Sequence, residues 1–166
     1  MKSRKTVKLI LGWLLLAVIA LTLVFIFSNS LKSSTDSADD SGAVGDFVAG
    51  IIPPDTELGE FVQDNIRKTA HFAEFAVLGA EVAVLVWLYF RRYRVLAMSL
   101  SPLFGLLVAV VDETLQYIPK DRGPSVLDVW IDVGGYATAL VPVFLVFILV
   151  TVIMNRVRAK RKSENG

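Results

Sequence analysis

From Leu9 to Phe27 the chain carries no charged residue, and three later stretches are nearly as apolar. A helix needs about 20 residues to cross the roughly 30 Å hydrocarbon core of a bilayer. The stretches Leu9–Phe27, Thr69–Phe90, Val95–Ile118 and Ser125–Met154 all approach or exceed that length. Within a bilayer each backbone polar group must find its partner inside the protein, so such stretches fold as helices. Composition agrees, with 54% of the 166 residues hydrophobic and a mean hydropathy of +0.59. Ordinary soluble domains are less apolar. The expected fold is all-α: one integral membrane domain, a bundle of four transmembrane helices occupying 1–166.

Basic residues set the expected orientation, because short cytoplasmic segments carry an excess of Lys and Arg. Lys2, Arg4, Lys5 and Lys8 precede the first span. Arg91, Arg92 and Arg94 separate the second and third, and Arg156, Arg158, Lys160, Arg161 and Lys162 follow the fourth. Of the 17 Lys and Arg, that leaves Lys32, Arg67, Lys68, Lys120 and Arg122 for the other side. The pattern predicts both termini in the cytoplasm of a multi-pass plasma-membrane protein, with a basic tail over 155–166. Ser28-Asn29-Ser30 resembles a signal-peptidase site, but the apolar run exceeds the ~7–15 residues of a signal peptide's core. An uncleaved first helix is expected. Pro102 and Pro142 fall inside the third and fourth spans, where a kink is expected unless neighbours satisfy the freed carbonyl.

The outer loop, 28–68, differs in composition. It is rich in Ser, Thr, Asp, Gly and Pro up to Pro54. Within it, Val44–Ile52 is apolar enough to lie on the membrane surface or the bundle. Asp55 is placed to cap a helix. Leu58, Phe61, Val62, Asn65, Ile66 and Thr69 then recur at helical spacing. They predict an amphipathic helix leading into span two.

The strongly polar residues gather at one end of this bundle. Arg67, Lys68, His71 and Glu74 start span two; Asp112, Glu113 and Gln116 end span three; Lys120, Arg122, Asp128 and Asp132 lie in the last loop and the start of span four. Three sequence-distant stretches are thus joined by topology alone. Lys68, His71, Glu74, Leu78 and Glu81 follow steps of three and four and read as one stripe. Asp128 and Asp132 are four apart, and Gly134-Gly135 behind them would let another backbone come close. With no cysteine and one histidine, thiolate sites, a cysteine nucleophile and His-rich metal sites are excluded.

The plain reading of this cluster is a lattice of ion pairs that locks the helices in register. Two points favour a site. Replacing buried pairs by apolar residues is often neutral or stabilising, so stability alone is a weak motive for so many charges. Lys120 and Arg122 also sit on an outer loop, where topology gives no reason for basic residues. Ionisable groups at membrane depth mark functional sites by default.

Four motifs, in order, resemble the VanZ-like family, named for a teicoplanin-resistance protein. They are Phe27-Ser28-Asn29-Ser30; Lys68-Thr69-Ala70-His71-Phe72-Ala73-Glu74-Phe75-Ala76-Val77-Leu78; Asp112-Glu113-Thr114-Leu115-Gln116; and Arg122 followed by Asp128-Val129-Trp130-Ile131-Asp132-Val133-Gly134-Gly135. The match covers roughly 10–150. Pro119-Lys120-Asp121-Arg122 replaces the family's usual Pro-Gly-Arg. Asp132 stands where the family usually has Asn, an extra negative charge that would change local pKa values or ion affinity. The resemblance implies an envelope role connected with glycopeptide (teicoplanin) resistance, and no settled reaction.

Three functions fit these residues. In the first, an enzyme acts by hydrolysis or group transfer on an anionic lipid-linked or cell-wall precursor. Glu113 or Glu74 would serve as base or acid, His71 as proton shuttle, and Asp128 as a further catalytic acid. Lys68 and Arg122 would hold a phosphate, with Gln116 and Asp132 completing the substrate site. His71 with Glu74, Glu113 and Asp128 offers ligands for a divalent cation, with oxygen donors favouring Mg²⁺, Mn²⁺ or Ca²⁺. In the second, the same groups bind membrane-lipid headgroups or wall precursors without turnover, and much of the cluster is structural. The third, a transporter, rests on Glu81 alone. Trp13, Trp87, Tyr89, Tyr93, Tyr117 and Trp130 read as interfacial aromatics. The basic tail reads as a topology signal rather than a nucleic-acid site.

Overall fold

The computed structural model describes residues 2–32, 50–52, 56–59, 65–90, 92–119 and 123–164. Among them four long helices follow one another without a strand: α1, Lys2–Ser30; α2, Ile66–Tyr89; α3, Arg94–Leu115; and α4, Val126–Glu164. Each contains a stretch long and apolar enough to cross a membrane. These are the four expected spans, with shifted ends. α2 begins at Ile66, ahead of Thr69. α3 stops at Leu115, and the chain to Ile118 turns, with Tyr117 N–H donating to the Thr114 carbonyl (3.2 Å) and Ile118 N–H to that of Leu115 (3.0 Å). Pro119 follows, and the residue before a proline is driven out of helical geometry. α4 instead continues to Glu164, so the basic tail prolongs the fourth helix. That segment holds no Gly or Pro until Gly166 and is rich in good helix formers. Both helices are continuous through Pro102 and Pro142.

The residues expected to form the amphipathic helix are described only in part. Residues 44–49, Asp55 and 60–64 lie outside the described residues, as do Lys120 and Arg122. Residues 57–59 make one helical turn, and its cap is Thr56, whose Oγ1 accepts from Gly59 N–H at 3.0 Å.

α2 lies at the centre. It packs most extensively against α4 and also touches α1 and α3. Glycines set the close α2–α4 approach. A Cβ on Gly79 would fall on the Tyr136 backbone carbonyl, and one on Gly135 on that of Phe72. Close backbone approach through small residues is a usual mode of helix association in membranes, where apolar side chains gain little by leaving lipid. Tyr136, only 1% exposed, fills the space this leaves. Its ring occupies the volume that a side chain on Gly105 of α3 would need, 2.6 Å from such a Cβ. Around it pack Phe75, Leu78, Val82, Ala83, Val108, Ala109, Leu140 and Phe144, with Ile19 and Ile26 from α1.

One end is fastened by aromatic and basic residues. Tyr89 Oη donates to the Lys8 carbonyl (2.7 Å), joining the end of α2 to the start of α1. Trp87 stacks on Phe147 with centroids 4.9 Å apart. The Arg94 guanidinium lies 3.7 Å from the Trp87 ring centroid. The polar residues occupy the opposite end.

Candidate functional site

At this second end α1 and α3 finish while α2 and α4 begin. The up-down order of the helices places the Ser28–Ser30 motif, the first turns of α2, the last turn of α3 and the first turns of α4 side by side. The α2, α3 and α4 segments line an open cavity of about 260 Å³. Its walls are Asn65, Ile66, Arg67, Lys68 and His71 on the α2 side, Glu113 and Gln116 from α3, and Asp128, Ile131 and Asp132 from α4.

Three polar groupings occupy this end, two of them bordering the cavity. In the deepest, His71 Nδ1 lies 3.6 Å from Asp112 Oδ2 and 3.9 Å from Asp132 Oδ1. Asp112 is 0% and Asp132 1% exposed. Ser30 Oγ donates to Asp112 Oδ1 at 2.6 Å, so the end of α1 orients that carboxylate. Both Asp132 oxygens lack a hydrogen-bond partner among the described residues.

The second grouping ties α2, α3 and α4 together. Arg67 donates to Gln116 Oε1 at 2.7 Å, and Gln116 Nε2 donates to Glu113 Oε1. Glu113 Oε2 accepts from the Ser125 backbone N–H at 2.8 Å. Ser125 in turn caps α4, its Oγ accepting from Asp128 N–H at 3.4 Å. A carboxylate beside the first N–H groups of a helix also meets the positive end of its dipole. Glu113 is therefore bonded through both oxygens.

The third faces α1. Asn29 Nδ2 donates to Glu74 Oε1 (2.8 Å), and Lys32 Nζ donates to Asn29 Oδ1 (2.9 Å). Lower down, Thr22 Oγ1 donates to Glu81 Oε1 (2.9 Å). Glu74 lines a separate groove between α1 and α2 with Leu21, Thr22, Phe25, Ala73 and Val77.

Six of the eight site residues expected from sequence line the cavity: Lys68, His71, Glu113, Gln116, Asp128 and Asp132. Glu74 points to α1 instead, and Arg122 lies outside the described residues. Of the carboxylates weighed as ligands beside His71, Asp128 lines the same cavity, and the other two are bonded to other groups. Glu74 is engaged by Asn29, and Glu113 by Gln116 and Ser125. The acids gathered at the His71 Nδ1 edge are Asp112 and Asp132. Asp112 was legible as part of the polar set but not as a site residue. Ser30, Asn29 and Arg67 were likewise missed as orienting groups, although the Ser-Asn-Ser motif carried the signal.

Ion pairing around the cavity centres on His71, 3.6 Å from Asp112 and 3.9 Å from Asp132, while Lys120 and Arg122 lie outside the described residues. Arg67 donates to a neutral amide. Lys68 is exposed and makes no ion pair among the described residues.

Residues 13–154 of the chain match the family model described as VanZ/LLP1. No curated protein and no solved structure matches it.

Proposed function

The chain belongs to the VanZ/LLP1 family, and from that membership and the geometry of the polar cavity we propose that it binds an anionic, lipid-linked envelope molecule by its headgroup. The cavity faces the outer side of the plasma membrane, and occupancy lowers susceptibility to teicoplanin-type glycopeptides. The observation that carries this reading is Lys68, an exposed ammonium without an acidic partner among the described residues, on the wall of a membrane-end cavity beside Arg67. An unsatisfied cation at the membrane surface attracts phosphate, and a neighbouring guanidinium adds directional donors. Apolar helix faces alongside would hold the lipid chain.

One observation favours turnover over binding alone. Asp132 is a buried carboxylate with no hydrogen-bond partner among the described residues, and it borders the same cavity. Such a group is available as a base or ligand in a way that Glu113 is not. Glu113, bonded through both oxygens, fits a positioning role.

The test compares wild type, Lys68→Met and Asp132→Asn at matched membrane abundance. Mass spectrometry reads the lipids that co-purify with each protein and the envelope lipids and wall precursors of the cells. Lys68→Met should retain several-fold less anionic lipid and restore glycopeptide susceptibility. Unchanged retention would overturn the headgroup reading. A species made or consumed by wild type but not by Asp132→Asn would establish turnover, and identical profiles would leave a binder.

A further inference from the structure

We propose that His71, Asp112 and Asp132 form a binding site for a divalent cation of the Mn²⁺ class at the base of the cavity. The inference is independent of what the cavity binds above it. Each residue offers one donor atom, and the three atoms lie within 4.8 Å of one another. They come from three helices, so the site exists only in the assembled bundle.

The distances separate this arrangement from an ordinary ion pair. A charged imidazole N–H held by a carboxylate closes to about 2.7–2.9 Å. Here Nδ1 stands 3.6 Å from Asp112 Oδ2 and 3.9 Å from Asp132 Oδ1. Three donors around an ion at about 2.0–2.2 Å sit roughly 3–3.5 Å apart. Small side-chain movements bring them to that spacing.

The second observation is Asp132. It is 1% exposed, borders the cavity and has neither oxygen hydrogen-bonded among the described residues. Burying a carboxylate without donors is costly, and buried charges are normally paired or bound to metal. Two aspartates beside one another sharpen the point, because like charges repel at this range. A divalent cation would neutralise both. Ser30 supplies an outer contact by holding the other oxygen of Asp112 at 2.6 Å, as partners of metal ligands commonly do. Two carboxylates with one imidazole combine hard oxygen with a nitrogen donor, a set that suits Mn²⁺.

The experiment uses the purified full-length chain in detergent micelles, titrated with Mn²⁺ and followed by electron paramagnetic resonance. Wild type should bind one ion per chain, with a nitrogen hyperfine coupling from His71. Asp132→Asn should weaken binding roughly a hundredfold, the upper end of what even outer-contact losses produce. His71→Gln should remove the nitrogen coupling whether or not some carboxylate binding survives. Phe147→Leu, at the opposite end of the bundle, should bind as wild type does. Folded wild type that binds no Mn²⁺ would overturn the proposal. So would a bound ion without nitrogen coupling, or equal affinity in Asp132→Asn. Lipid retention by Lys68→Met is read separately, so the headgroup reading can fail or stand without deciding this one.

Discussion

The two ends of the bundle solve opposite problems with charge. At the basic end, charge stays on the surface: Arg92, Arg156, Arg158, Lys160 and Arg161 are exposed, and Arg94 lies over the Trp87 face. Aromatic stacking and one tyrosine hydroxyl hold the helices there. At the cavity end, carboxylates are buried. Asp112, Glu113 and Asp132 are nearly inaccessible; Asp112 meets a donor from α1, and Glu113 meets one from the start of α4 and one from Gln116 at the end of its own helix. Surface charge can mark orientation at little energetic cost, whereas buried charge requires an assembled set of partners. The first is a property of segments and the second of the fold.

The bundle must therefore fail first where the backbones meet. Gly134 and Gly135 are adjacent, yet their substitutions should have opposite signs. A Cβ on Gly135 would strike the Phe72 carbonyl, whereas one on Gly134 finds the Phe72 ring at an ordinary 3.8 Å. Gly135→Leu should destabilise by about 3 kcal/mol or more, as overpacking against immovable backbone does. Gly134→Ala should stabilise by roughly 0.5–1 kcal/mol through helix propensity. Thermal unfolding in detergent reads both. Equal tolerance at the two positions would break the α2–α4 packing described above.

A smaller effect separates the ends by mechanism. In Glu113→Gln, one amide N–H₂ faces either Gln116 Nε2 or Ser125 N–H, both of which donate. If Gln116 turns over, the conflict passes to Arg67. The expected loss is about 1–3 kcal/mol, the cost of an unsatisfied buried group. At the basic end, Phe147→Leu removes only a stacking partner of Trp87 and should cost about 1 kcal/mol. It should leave Mn²⁺ binding and lipid retention unchanged. Coupling between that variant and either readout would show that the ends are not independent.

The sequence made the four spans legible because apolar length is a local property. It made the polar cluster legible because alternating spans return the chain to the same end. The division of labour inside the cluster was not local. Lys68, His71, Glu74 and Glu81 read as one stripe, yet each three-residue step falls about 60° short of a full turn. The stripe winds around α2, so that His71 meets Asp112 and Asp132 while Glu74 and Glu81 meet Asn29 and Thr22 of α1. Only the placement of the neighbouring helices decides where a winding stripe divides. Glu113 and Asp112 show the same limit. They are adjacent in sequence, but one is bonded to α4's first turn and the other borders the histidine.

The smallest perturbation tests the orientation that the comparison of ends implies. The chain has no cysteine, so a single introduced one reports its side of the membrane without background. Tyr117 beside the cavity end and Lys160 on the helical tail are both exposed. Surface substitutions of this kind usually change stability by less than ~0.5 kcal/mol. In intact cells a membrane-impermeant maleimide should label Tyr117→Cys and spare Lys160→Cys until the membrane is opened. The expectation rests on the excess of Lys and Arg in short cytoplasmic segments, which would put the cavity outside. The reverse pattern would place the cavity on the cytoplasmic side. It would then have to bind an inner-leaflet ligand, and a direct effect on glycopeptides that act outside the membrane would no longer follow from its position.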